Sequence, residues 1–341
     1  MISSNASMKE LAARTGLSLS SISRALDPAR AHLVKQRTRE LILREAEALN
    51  VQVNISARRL KLNKTETVTI ITPNRKEPTT SHELHNISTK VNDLETLSAI
   101  IKLHGWDVKI EYYNENNPLD IKVFDKNRTD GIIFYGKNPV EYKHYIDKSK
   151  LPVVVLSRAQ EDPNIPFPFV GICREAGYKE ALDYVVKQNF TKIGWLCSSL
   201  KLKEDINYIL ESLARKYNYP SPTLTCEIFD YYDIRKFAEP LSKMDVVFCR
   251  NDVKANWLAR EYKYMATKNP PLIIGYDNDP AFLTCPKDFD TIGLVSNPLP
   301  QLAVSMLAKM IQNPDIPHEQ LKEIVPTQYI PSDMRKIKHL Q

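Results

Sequence analysis

From Val68 to Ile311 the chain alternates short apolar runs with helical stretches, and that alternation constrains the fold more than any other feature. The runs VTIIT, WDVKIEYY, DGIIFY, LPVVVLSR, KIGWLCSS, DVVFCRND, PLIIGYDND and TIGLVSN are separated by helical patterns near 85–104, 176–188, 204–217, 254–266 and 299–311. Strands that are apolar throughout, rather than at every second residue, are buried on both faces, as in parallel sheets covered by helices. Spread over about 260 residues, the pattern implies two such lobes. The expected class is therefore α/β. With 43% apolar and 26% charged residues the composition is that of a globular protein, and no run approaches the roughly 18 apolar residues of a membrane span. The start, MISSNASMKELAAR, lacks a basic segment followed by an apolar one, so a cytoplasmic chain is expected.

The charge is unevenly placed. Residues 1–65 carry 12 Lys and Arg against 5 Asp and Glu, whereas the remainder carries 35 against 36. A basic N-terminal fifth points to a polyanionic partner. Its pattern predicts a helix over Met8 to Arg14, capped by Ser7 and ended by Gly16, and a second over Leu19 to Leu26, capped by Ser18. In the second, Ile22, Ala25 and Leu26 form a packing face, while Ser20, Ser21, Ser23 and Arg24 leave a small, polar, basic one. A third helix is expected from about Gln36 to Leu49, with Ile42, Leu43, Ala46 and Leu49 buried. Two helices joined by a short Gly-containing turn describe a helix-turn-helix whose second helix fits a DNA major groove. A three-helix cap on a larger domain is the alternative, and the charge asymmetry counts against it.

The stretch NISARRLK, residues 54–61, starts on the N-cap residue Asn54 and places Arg58, Arg59 and Lys61 around Leu60. A lone helix this short is marginal in water and orders on binding. An apolar side chain among arginines suits a wedge in a minor groove.

In parallel sheets, ligands gather outside the carboxyl ends of the strands. Arg158, Asn251, Asp252 and Asp277 follow such runs and are the candidates to hold a small molecule. The sequence has no G-x-S-x-G, no P-loop and no G-x-G-x-x-G, and its nine glycines leave little for a phosphate-cradling loop. Enzyme chemistry is thus disfavoured, and no cofactor is expected. His82-Glu83-Leu84-His85 is one residue short of a zinc-protease motif, and the five cysteines include no C-x-x-C pair. Neither a metal site nor a disulfide framework is indicated.

The segments MKELAARTGLSLSSISRALD, VKQRTRELILREAEALN and NISARRLK resemble the DNA-binding head and hinge of the lactose-repressor (LacI/GalR) family of bacterial transcription regulators. The likeness continues through DGIIF, LPVVVLSR, FCRND, IIGYDND and the closing IVPTQYI. It implies a helix-turn-helix domain over 1–53, a hinge helix and linker over 54–66, and a periplasmic-binding-protein-like core over 67–341. The first lobe would span about 67–160 and 292–323, the second about 161–291 and 324–341. By the resemblance, Leu19, Ser20 and Arg24 meet base edges, Ser21 and Ser23 lie near phosphates, and Leu60 wedges the central step of a pseudopalindromic operator read by a homodimer. It also implies repression controlled by a sugar or sugar phosphate held between the lobes by Arg158, Asp252 and Asp277. Where many members have an Asp-Asn pair before the core helix, this chain has Cys173 and Arg174, with Lys179 following. Losing an acceptor and gaining two cations favours a phosphorylated or carboxylated effector. A solute-binding protein of the same core architecture, without a DNA role, is the competing reading.

Overall fold

The computed structural model describes residues 8–26, 30–51, 64–74, 81–114, 116–136, 138–160, 165–197, 206–227, 231–279, 288–317 and 321–332. They fall into two compact units, Met1–Thr65 and Glu66–Gln341. Ser7, Asn54, Arg58, Arg59, Leu60 and Lys61 lie outside the described residues.

The first unit contains α1 (Met8–Thr15), α2 (Leu19–Ala25) and α3 (Gln36–Ala48). Gly16 ends α1 at φ 67°, donating its N–H to the Ala12 carbonyl at 2.9 Å. A side chain strains that left-handed conformation, which glycine adopts freely. Ser18 then caps α2, its Oγ accepting from the Ser21 N–H at 3.2 Å. Leu11, Ile22, Ala25, Ile42 and Ala46 meet in one small core. Leu43, expected in the buried stripe, is exposed. Positions 42, 46 and 49 already form one line at helical spacing, and residue 43 sits a further 100° round the helix.

The second unit begins with β1 (Thr67–Pro73), α4 (Ser81–Leu103), β2 (Asp107–Tyr113), β3 (Gly131–Tyr135), α5 (Lys143–Ser149), β4 (Val153–Gln160) and β5 (Phe169–Cys173). It continues with α6 (Arg174–Lys187), β6 (Ile193–Cys197), α7 (Ile206–Tyr217), β7 (Pro222–Glu227), α8 (Tyr231–Leu241), β8 (Val246–Cys249), α9 (Asp252–Tyr264), β9 (Leu272–Tyr276) and β10 (Asp290–Gly293). The last elements are α10 (Leu299–Gln312), β11 (Lys322–Pro326) and β12 (Gln328–Ile330). One six-stranded sheet has the order β11-β5-β4-β3-β1-β2, with every pairing parallel. The other has the order β12-β10-β9-β8-β6-β7, parallel except where β12 runs against β10.

Both faces of each sheet are covered, as the uninterrupted apolar runs require. In the first lobe Leu94, Leu97 and Ile101 of α4 and Ala303, Val304 and Leu307 of α10 close over Ile70, Ile133 and Val154. In the second, Tyr178, Ala181, Leu182 and Val185 of α6 close over Trp195, Phe248 and Ile274.

The chain passes between the sheets three times: from Cys173 into Arg174, from Gly293 to Leu299, and from Pro326 to Gln328. The lobe boundaries near 160, 291 and 323 are corrected accordingly. Strand β5 belongs to the first sheet, β10 wholly to the second, and β11 wholly to the first. The prolines at 163, 166 and 168 make the approach to β5 look like a linker, yet Pro168 only precedes the strand, its carbonyl accepting from the Val155 N–H at 2.8 Å.

Candidate functional site

In the N-terminal unit the rotation of α2 is fixed by burial of Ile22 and Ala25. That turns Leu19, Ser20 and Arg24 outward and leaves Ser21 and Ser23 half-buried. The Ser21 hydroxyl lies 3.0 Å from that of Ser18, so it helps hold the start of the helix. Arg14 of α1 donates to Glu45 of α3 at 2.7 Å, tying those two helices together. A short helix with small side chains and one arginine on its open face can enter a major groove about 12 Å wide.

In the core, Arg158 lies near the carboxyl end of β4. Its Nε and one terminal nitrogen donate to the two oxygens of Asp93, at 2.7 and 2.9 Å. Asp93, 1% exposed, also accepts from the Tyr135 hydroxyl at 2.6 Å and from Asn297 Nδ2 at 2.7 Å. Burial works against the guanidinium charge, but the hydrogen bonds and charge of Asp93 more than offset it, aided by Tyr135 and Asp277, and Arg158 is held firmly protonated. Asn297 stands on the second crossing between lobes, so this network ties α4 to that crossing.

The other two crossings are tied to each other. Thr327 Oγ1 accepts from the Gly177 N–H at 3.2 Å and faces the carbonyls of Cys173 and Arg174 at 3.0 and 3.2 Å. Gly177 has no room for a side chain, since a Cβ there would lie 2.5 Å from Ile292 and 2.7 Å from Thr327 Oγ1. Arg174, first residue of α6, donates to the Arg158 carbonyl at 3.1 Å and lies over the Tyr276 ring at 5.7 Å. The Tyr276 and Tyr178 rings stack with centroids 5.6 Å apart. Arg158, Arg174 and Asp277 are thus brought together where both sheets end.

Four polar atoms at this end of the second lobe are buried without a hydrogen-bond partner: Arg174 Nε, Tyr178 OH, Tyr276 OH and Asn251 Nδ2. Each such group costs roughly 1–3 kcal/mol. Burial holds the Tyr178 phenol well above its ordinary pKa and pushes Tyr276 up to about 12 despite the nearby Arg174. Both hydroxyls keep their protons at neutral pH and are available to donate.

Asn251, Asp252 and Lys179 take other roles. The Asn251 side-chain oxygen Oδ1 caps α9, accepting from the Lys254 N–H at 3.0 Å. Asp252 is fully buried, its carboxylate accepting from the Asp279 N–H at 2.8 Å and from the Thr291 hydroxyl at 2.6 Å. It fixes the loop after β9 rather than facing open space. In that loop Asp277 has φ 102° and Asn278 φ 48°, and the Asp277 N–H donates to the Ile292 carbonyl at 2.8 Å. Lys179 is half-buried, donates to Asp183 at 2.7 Å and lies over the Tyr217 ring at 5.4 Å. It therefore points away from Arg174: one helical turn separates residues 174 and 178, and residue 179 falls on the next face.

Sequence reasoning missed Asp93, Tyr178, Tyr276, Asn297 and Thr327. Tyr276 precedes the Asp277 that was singled out, but an apolar strand ending in tyrosine carries no signal of an unpartnered hydroxyl. Asp93 lies on a helix whose polarity looks like that of a solvated face. Among the described residues no cluster of three or more His, Cys, Asp or Glu side chains is arranged to hold a metal ion, and no helix is long and apolar enough to cross a membrane.

No family model matches the chain. Among curated relatives, the "Probable HTH-type transcriptional repressor ExuR" of Bacillus subtilis (strain 168) is 23% identical over 274 residues, covering 80% of this chain and 73% of the relative. The "HTH-type transcriptional repressor PurR" of Aliivibrio salmonicida (strain LFI1238) is 22% identical over 285 residues, covering 80% and 82%. Among solved structures, the lac repressor dimer bound to operator and the anti-inducer ONPF superposes with a TM-score of 0.68 at 15% identity, covering 96% of this chain and 98% of that one. The same two-unit fold thus extends over nearly the whole sequence.

Proposed function

We infer that this chain is a LacI/GalR-family DNA-binding transcription regulator, a repressor, controlled by a small-molecule effector held between the two core lobes. The observation that carries the reading is the three-helix N-terminal unit, in which burial of Ile22 and Ala25 leaves a small, polar face with Arg24 open for a groove. The basic charge concentrated there supports it. A solute-binding protein needs neither feature, and the curated relatives are named as transcriptional repressors.

In this reading two copies of the chain read a pseudopalindromic operator, as in the dimeric lac repressor complex. Leu19, Ser20 and Arg24 face base edges, Ser21 and Ser23 lie near phosphates, and the 54–66 segment with Asn54, Arg58 and Leu60 contributes at the minor groove. The effector, a sugar or sugar derivative, sits beside Arg158, Arg174 and Asp277, with Asn251 and Asp252 shaping the wall. Its binding changes how the lobes meet at their three crossings, and a coupling of about 1–3 kcal/mol to DNA binding makes a useful switch. The cytoplasm, where the chromosome is, is the place this reading assigns. Arg24→Ala should weaken operator binding by about 1–3 kcal/mol and relax base preference at one position per half-site. A uniform loss over all duplexes, without relaxed preference, would remove Arg24 from the base-reading role.

A further inference from the structure

We propose that the effector is an acid whose carboxylate is received by Arg174 together with the hydroxyls of Tyr178 and Tyr276. The proposal rests on the reading of the interlobe region as the effector site and adds the chemistry of what binds there.

Three observations converge on it. First, every unpartnered buried polar atom at the carboxyl ends of β8 and β9 and the start of α6 can donate: Arg174 Nε, Tyr178 OH, Tyr276 OH and Asn251 Nδ2. A wall of donors calls for a ligand rich in acceptors. A carboxylate brings two acceptor oxygens and no proton that needs an acceptor of its own. Second, Arg174 has no carboxylate partner among the described residues. Its contacts are the Arg158 carbonyl at 3.1 Å and the Tyr276 ring. Arg158 beside it is already matched by Asp93. The charges of Arg174 and Arg250 both act on the tyrosine pair and that of Asp277 opposes them, leaving an excess of one positive charge, which suits a carboxylate better than a phosphate dianion. Third, Arg174 opens α6, a helix of 14 residues whose N-cap, Cys173, makes no side-chain capping bond. The positive end of that helix adds to the attraction, offset in part by Glu175 in the same turn. Tyr178 and Tyr276 are 1% and 2% exposed, so a ligand reaches them as the lobes part about their crossings.

The remaining groups describe the rest of the ligand. Asp277 is a carboxylate close to this group, and its charge is felt at Arg158, Tyr178 and Tyr276. It suits the hydroxyls of a polyhydroxylated body rather than the acid end. The ligand class is thus a sugar acid, carboxylate toward Arg174 and hydroxyls toward Asp277.

Calorimetric titration of the full-length protein with two matched sets tests this: glucose, glucuronate and glucose 6-phosphate, then galactose, galacturonate and galactose 6-phosphate. In at least one set the uronate should bind about tenfold or more tighter than both the neutral sugar and the phosphate. Arg174→Gln should lower uronate affinity about tenfold while changing neutral-sugar affinity by less than about threefold. Tyr276→Phe removes an unpartnered hydroxyl, so it should weaken the uronate while leaving the unfolding temperature of the unliganded protein unchanged or raised. That combination separates ligand loss from misfolding. The proposal is overturned if neither uronate binds, if the neutral sugar or phosphate is tightest in both sets, or if Arg174→Gln leaves uronate binding intact. Each of those results leaves the DNA-binding reading standing, because that reading is tested independently by duplex selection.

Discussion

Arg158 and Asp93 meet through two hydrogen bonds of 2.7 and 2.9 Å, 65 residues apart in sequence, with the carboxylate almost fully buried. The pair converts a side chain that looks like a ligand clamp into part of the first lobe's frame. It leaves Arg174, which donates to the Arg158 backbone carbonyl and lies over the Tyr276 ring, without a carboxylate partner among the described residues.

Asp93→Ala should be one of the most destabilising single changes in the core. It strands the Arg158 charge and removes the acceptor for Tyr135 and Asn297, at a cost of about 3 kcal/mol. Urea unfolding monitored by tryptophan fluorescence checks this. A loss below about 1 kcal/mol would mean that the network is solvated and contributes little.

Thr327→Val keeps the shape but removes the hydroxyl that joins the first and third crossings. The Gly177 N–H at the start of α6 then has no acceptor, and the cost is about 1–2 kcal/mol. Equilibrium unfolding checks the size. Thr327→Ser should recover most of the loss, and failure to do so would place the effect in the methyl group's packing.

Leu11→Ala removes a fully buried side chain from a three-helix core that is small to begin with. A loss of about 2–5 kcal/mol should unfold the N-terminal unit and abolish DNA binding. Calorimetry should show the core transition unmoved. A shift of both transitions together would contradict independent folding of the two units.

Alkaline pH should destabilise the protein through its buried tyrosines. The pKa of Tyr276 is raised from 10 to about 12, chiefly by burial, and that of Tyr178 is raised as well. A folded-state pKa above the unfolded one means the stabilisation is complete below pH 10 and is lost as pH rises from 10 toward 12. The contribution of Tyr276 is on the order of 2 kcal/mol. Urea midpoints between pH 8 and 11.5 should fall at the upper end, and less so for Tyr276→Phe. Identical profiles for the two proteins would exclude Tyr276 as a source.

Much of the architecture was legible because the strands of a covered parallel sheet are apolar without interruption. Residues such as Ile70, Ile133 and Val154 declare their burial by sequence alone. β5 and β7 were not, since prolines crowd the approach to the first and polar threonines alternate through the second. The lobe boundaries failed with β5, because the crossings depend on which sheet a short strand joins, a long-range choice that local pattern does not encode. At the candidate site, charge was visible but pairing was not. Arg158, Arg174 and Lys179 look equivalent in sequence. They differ in the structure only because Asp93 and Asp183 take two of them.

Selection of bound duplexes from a random pool by the full-length protein, at near-physiological salt, tests the central claim most directly. The account expects a two-fold-related site whose half-sites lie about one helical turn apart, with an easily deformed pyrimidine–purine step at its centre. Recovery of no preferred sequence, with only salt-sensitive binding to every duplex, would contradict it.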